Sequence, residues 1–499
     1  MKAELHASTT GAPRVCVLAV ALGALAASAS AAQAATLTVD RDRAQCANAD
    51  YRSIQAAVSA AAPGDLIEVC PDLYDEAVIV DKPLTLKGDP DAVEADDCFS
   101  LADADPARDA IVDPSGDGFS VALRLRGGDI DLAGFVVQGA SVGIDASDSF
   151  SGYRMHHNVV QSNTLFAMDV GSEGTRESRV DHNCVRNNRG ALVGTGQLGW
   201  GIVSELDDDS LWKPSDGPER DDWNARNLIN ARIDHNTTWR NANAGIDTAG
   251  PGLRDRVTVD TNRSVGEALI FQHSTHSAIV ANELTDPRGN GIVIGPGNAR
   301  LLIAGNRVRG AGISGITFIG GLIDPFAIPS TDVVVSDNDV RLTGSHGIAA
   351  SLNNLASSEI TDNTVRENGG TGLLVIGGNA NVISGNAAFA NSLNGIQFSS
   401  SSSQARGNTS SRNVMNGIVV NGSGNEITDN ETDDNLRNGI TVNLATATGN
   451  RFERNSMHGN GTLDPAVFFD ARDLSWPNNI WVDNDCETDN QAGAICGAG

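Results

Sequence analysis

The chain has 499 residues, with 63 acidic against 35 basic side chains and a formal net charge of −28. That balance excludes a nucleic-acid binder, because no basic stripe exists to meet a phosphate backbone. It also argues against bare binding of a polyanionic polysaccharide, unless arginines cluster locally or a divalent cation bridges the two.

In chain order, Lys2 and Arg14, the apolar run Val15–Ala27 and the small residues Ala32-Gln33-Ala34-Ala35 read as a secretory signal peptide. Cleavage is expected after about Ala34, so residues 1–34 would be removed. The apolar run is 13 residues long, too short to cross a bilayer as a helix, and nothing later is comparably apolar. A secreted, extracellular protein without a membrane span is expected, and a monomer. Beyond the signal, Cys46, Cys70, Cys98, Cys184, Cys486 and Cys496 are an even set, which in an exported chain favours disulfides. Cys486 and Cys496 would close a short C-terminal loop, and Cys46 and Cys70 flank the first helix and strand. Cys98 and Cys184 have no partner assigned by spacing. Metal ligation is the alternative, but no Cys-x-x-Cys or Cys/His spacing supports it.

Ser53–Ala61 is predicted as a capping helix, with Ser53 as N-cap and Ile54, Ala57, Val58 and Ala61 on one apolar face. Pro63-Gly64-Asp65 ends it and Leu66–Val69 begins the first strand.

From there the chain repeats. An aliphatic residue precedes Asn by three at Val335/Asn338, Ile360/Asn363, Ile383/Asn386, Ala405/Asn408, Ile427/Asn430 and Ala447/Asn450, with spacings of 25, 23, 22, 22 and 20. His346-Gly347-Ile348, Thr371-Gly372-Leu373, Asn394-Gly395-Ile396, Asn416-Gly417-Ile418 and Asn438-Gly439-Ile440 keep step with it. Two markers in phase define a repeat. Upstream the first marker continues through Asn306, Asn282, Asn262, Asn236, Asn183 and Asn158, and Leu132 holds the aliphatic position of an earlier copy. Units of about 22 residues with three short β-like runs cannot bury an apolar face alone, but stacked copies can. Asn-Gly bends and β-branched residues count against a helical solenoid. The expected fold is all-β: a right-handed parallel β-helix of about 14 coils, three short strands per coil, over residues 35–473. An irregular tail at 474–499 would close it.

Ser53-Ile54-Gln55, Gly64-Asp65, Leu66-Ile67-Glu68-Val69, Tyr74-Asp75-Glu76 and Leu84-Thr85-Leu86-Lys87-Gly88 resemble the opening of the pectin-lyase-like β-helix superfamily, and the repeats resemble its generic repeats. The resemblance spans nearly the whole chain and implies the fold. It implies little about function, since that superfamily holds lyases, hydrolases, alginate-acting enzymes and non-enzymatic adhesins. The Asn-Thr-Asp and Gly-Asp-Asp motifs of its polygalacturonases and the Asp-Pro-His-Glu motif of its alginate epimerases do not occur.

Three consecutive rungs stand out. Arg154-Met155-His156-His157-Asn158, Arg179-Val180-Asp181-His182-Asn183 and Arg232-Ile233-Asp234-His235-Asn236 share Arg, an acid or His, and His at the same places before the Asn. With Met155, Val180 and Ile233 inward, strand alternation turns the Arg and acid positions outward. A long insertion over about 194–228 follows, holding Asp207, Asp208 and Asp209 as possible calcium ligands. Trp200, Trp212, Trp223 and Trp239 are four of the six tryptophans in the chain. The functional reading is a polysaccharide groove. In it Arg154, Arg179, Arg232 and His157 bind substrate, Asp181, Asp234, His182 and His235 transfer protons, and the four Trp stack on sugars. The structural reading is that Arg and Asp pair across coils and Trp packs the insertion. The two function classes are therefore a lyase or hydrolase acting on a uronate-containing polysaccharide, and a non-catalytic scaffold, adhesin or glycan-binding module.

Overall fold

The computed structural model describes residues 34–88, 98–115, 120–190, 198–204, 226–250, 252–320, 328–350 and 354–496, together with two short strands at 192–193 and 196–197. The expected signal peptide, apart from Ala34, lies outside the described residues, as do Trp212, Trp223 and Asp207–Asp209.

The chain from Ala35 onward winds as a right-handed parallel β-helix. Among the described residues, three parallel sheets of 19, 16 and 15 strands form it. Sheet 1 runs from Thr36–Val39 to Ile480–Val482, sheet 2 from Asp72–Tyr74 to Asp485–Cys486, and sheet 3 from Val78–Val80 to Ala471–Asp473. Each coil visits sheet 1, turns at the Asn bend into sheet 2, then enters sheet 3 at the Gly-Ile marker. The aliphatic ladder is the core: Leu132, Met155, Val180, Ile233, Val259, Ile279 and Ile303 pair in register. Each is no more than 1% exposed, so every coil closes the apolar interior of the next.

Both sequence markers have a physical cause. The residue before each ladder Asn sits at φ near +55°, as at Asp337, Asp362 and Asp429, and the Asn behind it satisfies the backbone of that bend. Asn236, for example, accepts from the Asn183 amide at 3.0 Å and donates Nδ2 to the Val180 and Asp234 carbonyls at 2.8 and 3.0 Å. The glycines face a second inner ladder. A Cβ on Gly395, Gly417 or Gly439 would lie 2.6, 2.8 or 2.7 Å from the Nδ2 of Asn413, Asn435 or Asn460. One continuation differs from expectation. The bend ladder passes from Asn430 to Asn455, not Asn450, while Asn450 joins Asn425 and Asn479 at the corner before sheet 1. All the corners use Asn for the same purpose, so the residue type alone does not say which corner it serves.

In the second inner ladder Glu267 takes an asparagine's place, its two carboxylate oxygens accepting the backbone amide and side-chain amide of Asn241. Burial raises its carboxyl to about 7 against those hydrogen bonds. Folding then disfavours the carboxylate: stability is highest where Glu267 is protonated and falls as pH rises from the ordinary Glu value through 7. We expect the melting temperature to drop between pH 5 and 8 by an amount worth on the order of 3 kcal/mol, and Glu267→Gln to flatten that drop. Equal slopes for the two proteins would refute it.

The ends are closed as well. Ile54–Ala60 is helical, with Ser53 Oγ accepting the Ala56 amide at 3.2 Å and Glu76 accepting the Ile54 and Gln55 amides. Cys46–Cys70 and Cys486–Cys496 are disulfides, and Cys98–Cys184 form the third, joining residues 86 apart.

Candidate functional site

The Arg/Asp/His rungs are in register on sheet 1. Arg154, Arg179 and Arg232 are Cα partners, as are His156, Asp181 and Asp234, and Asp260 continues the acid column. Asp181 and Asp234 point outward yet are only 2% and 0% exposed, because arginines lie across them. Each arginine reaches one rung onward: Arg179 grips Asp234 with Nε and Nη2 at 2.9 and 2.6 Å, and Arg232 Nη2 meets Asp260 at 2.6 Å. Arg179 and Arg232 are thus charge-paired within the wall, whereas Arg154 is half-exposed with its Nε 3.9 Å from Asp181. The buried Asp181 Oδ1 accepts no hydrogen bond among the described residues.

His157, His182 and His235 occupy the bend, each at φ +54°. Their rings stack at 5.1 and 4.9 Å between centroids, with planes 1° and 3° apart. His182 Nδ1 lies 3.0 Å from Asp181 and His235 Nδ1 2.8 Å from Asp234. Burial would raise the Asp234 carboxyl, but the Arg179 fork, the His235 contact and Arg232 outweigh it and hold it below the usual carboxylate range. An ionised Asp234 fixes the proton on Nδ1 and leaves Nε2 as an outward lone pair, the arrangement of a general base.

Of the predicted tryptophans, Trp200 and Trp239 are described, and both lie on other sheets than this column. Trp239 is on sheet 2, with the Phe99 ring edge-on at 5.4 Å and the Arg240 guanidinium 4.2 Å above it. Trp200 is on sheet 3, edge-on to Phe166 at 5.6 Å. Of the stretch 194–228, Trp200–Val203 is a sheet 3 strand and Leu228 opens a sheet 1 strand.

Sequence reasoning missed a second outward column, on sheet 3. Arg124, Asp145, Asp169, Val203 and Asp247 pair in register, and the three aspartates are 5, 1 and 5% exposed. Arg226, at the base of the insertion, turns back onto this face. Its Nη2 is 2.9 Å from Asp145 and its Nη1 3.5 Å from Asp169. Arg126 also meets Asp145, at 3.0 Å. Arg254 donates to the Thr248 and Arg226 carbonyls. Burial pushes the Asp247 carboxyl up to about 6, against the Ala249 amide and Arg254. Val121, Val142, Phe166 and Trp200 form an apolar patch on the same face. The signal was present: Asp follows the inward aliphatic residue in Ile144-Asp145, Met168-Asp169 and Ile246-Asp247, whereas later coils have Val293, Thr317, Ala349, Leu374 or Val419 there.

Residues 349–499 match the family described as right handed beta helix region. Similar solved structures include the periplasmic alginate epimerase AlgG, at 13% identity over 74% of this chain and 78% of that one, TM-score 0.43. The A-module of Azotobacter vinelandii mannuronan C-5 epimerase AlgE4 is 13% identical over 87% and 90%, TM-score 0.37. Tailspike protein 3 of bacteriophage CBA120 is 10% identical over 91% and 62%, TM-score 0.44. No curated protein matches the chain significantly. These likenesses concern the coil architecture and leave the chemistry to the side chains.

Proposed function

We propose that this right-handed parallel β-helix binds a uronate-containing polysaccharide along the outer face of sheet 3 and hydrolyses it, with Asp247 as proton donor and Asp169 as base. The observation that carries the reading is one face holding three in-register carboxylates, a carboxyl raised to about 6 at Asp247, and the Phe166–Trp200 pair. A carboxyl raised by burial at Asp247 suits a proton donor, and the carboxylate of Asp169, 3.5 Å from the Arg226 guanidinium, suits a base. Asp169 and Asp247 are two rungs apart, about 10 Å by strand spacing, close to the separation that leaves room for a water beside the scissile bond. Arg124 and Arg126, both paired with Asp145, mark one end of the column. Export by the signal at residues 1–34 fits an extracellular glycan.

The test is reducing-end release from a panel of uronans and neutral glycans, with and without calcium. Turnover is expected to fall as pH rises through about 6, where Asp247 loses its proton. Asp247→Asn should lower kcat by about 100-fold or more, while His182→Ala and His235→Ala leave it within a few-fold. Loss in the histidine variants with Asp247→Asn unaffected would move the chemistry to the sheet 1 dyads. Binding without turnover in any glycan would make the chain a recognition module, and no binding at all would refute the reading.

A further inference from the structure

The sheet 1 histidines have a use independent of any polysaccharide. Their hydrogen bonds all leave the same atom open. His182 and His235 give Nδ1–H to Asp181 and Asp234. His156 Nε2 lies 2.9 Å from Asp131, so its Nδ1 is left to accept from His157 Nδ1 at 2.8 Å. That chain of contacts makes His157 an Nδ1–H tautomer too. Among the described residues none of the three Nε2 atoms has a hydrogen-bond partner, and all three rings are partly exposed at one corner. A carboxylate holding Nδ1–H so that Nε2 faces outward is how proteins orient and strengthen a metal-binding imidazole.

We propose that His182 and His235, with His157 beside them, form a binding site for a borderline transition-metal dication such as Zn²⁺, Ni²⁺ or Cu²⁺. Nitrogen-only donors with water completing the shell select these ions over Ca²⁺ or Mg²⁺, which require oxygen ligands. The ring centroids stand 4.9 Å apart with planes nearly parallel, so an ion about 2.1 Å from two Nε2 atoms requires both rings to turn out of the stack until their in-plane lone pairs converge on it. Side chains exposed by 37 and 42% have room for that movement. The aspartates beneath provide negative charge, and the arginines that would repel a cation, Arg179 and Arg232, are tied to Asp234 and Asp260. Ligand binding needs neutral imidazoles.

The experiment is calorimetric titration of the full chain, stripped with EDTA, with zinc chloride, and Cu²⁺ electron paramagnetic resonance to read nitrogen ligation. One ion per chain with at least two nitrogen donors is expected. His182→Ala with His235→Ala should abolish binding, and Asp234→Asn should weaken it by about 10- to 100-fold. His458→Ala, a histidine on sheet 2, should change nothing. Circular dichroism melts confirm that each variant is folded. Absence of binding in the unaltered chain, oxygen-only ligation, or binding that survives the double substitution would overturn the proposal.

Discussion

Replacing Arg226 with Ala is expected to destabilise the coils around residues 142–170 by about 3–5 kcal/mol. Arg226 is fully buried and bridges Asp145 and Asp169 on adjacent rungs, while its Nη1 also donates to the Ala146 and Asp169 carbonyls at 2.9 and 3.1 Å. Removing it takes from Asp145 and Asp169 a guanidinium that offsets their removal from water, although Arg126 still meets Asp145 at 3.0 Å. The charge itself should be the cause, so adding Asp145→Asn and Asp169→Asn to Arg226→Ala should recover a large part of the loss. Amide hydrogen exchange resolves this by rung, which matters because a stack of coils need not unfold in one step. Loss of protection confined to the rungs of Asp145, Asp169 and Trp200 is predicted. A change under about 0.5 kcal/mol, as at ordinary surface sites, would show that the network is not structural.

Interrupting the bend ladder should be comparably costly. Asn236→Ala removes the acceptor of the Asn183 backbone amide and side-chain amide, and the donor to the Val180 and Asp234 carbonyls. Each buried group left without a partner costs about 1–3 kcal/mol, so a total of about 3–5 kcal/mol is expected. Asn236→Asp keeps the acceptor but not the donor and should fall between the two. Because Asn236 follows His235, the same variant should also loosen the His182–His235 stack, readable as broadened imidazole resonances. A melting temperature unchanged in Asn236→Ala would contradict the role assigned to the ladder.

The coil could be read from the sequence because each element of it recurs. The Asn and Gly-Ile markers repeat at steps near 22 residues, and each answers a fixed need: a positive-φ bend with its amide ladder, and a corner too close for a Cβ. The register of Arg154, Arg179 and Arg232 followed from the same phase. What the pattern could not express was partnership. Alternation turns Asp181 and Asp234 outward, but only the long reach of arginine to the next rung explains why they are covered. The Asn450 marker misleads because different corners present identical chemistry. The aspartates of sheet 3 were overlooked for a different reason: one Asp per coil after an aliphatic residue is ordinary in a chain this acidic. It becomes a site only when Arg226, far along the chain, folds back over it.

In the proposed function the outer face of sheet 3 is where a glycan is held. The most direct measurement is a crystal structure of Asp247→Asn, intact but slowed, with a uronan oligosaccharide bound. The sugar is predicted to lie along sheet 3, with one ring against Trp200 and the scissile bond between Asp169 and residue 247. An oligosaccharide seated over the His182 and His235 rings, or on sheet 2, would contradict it.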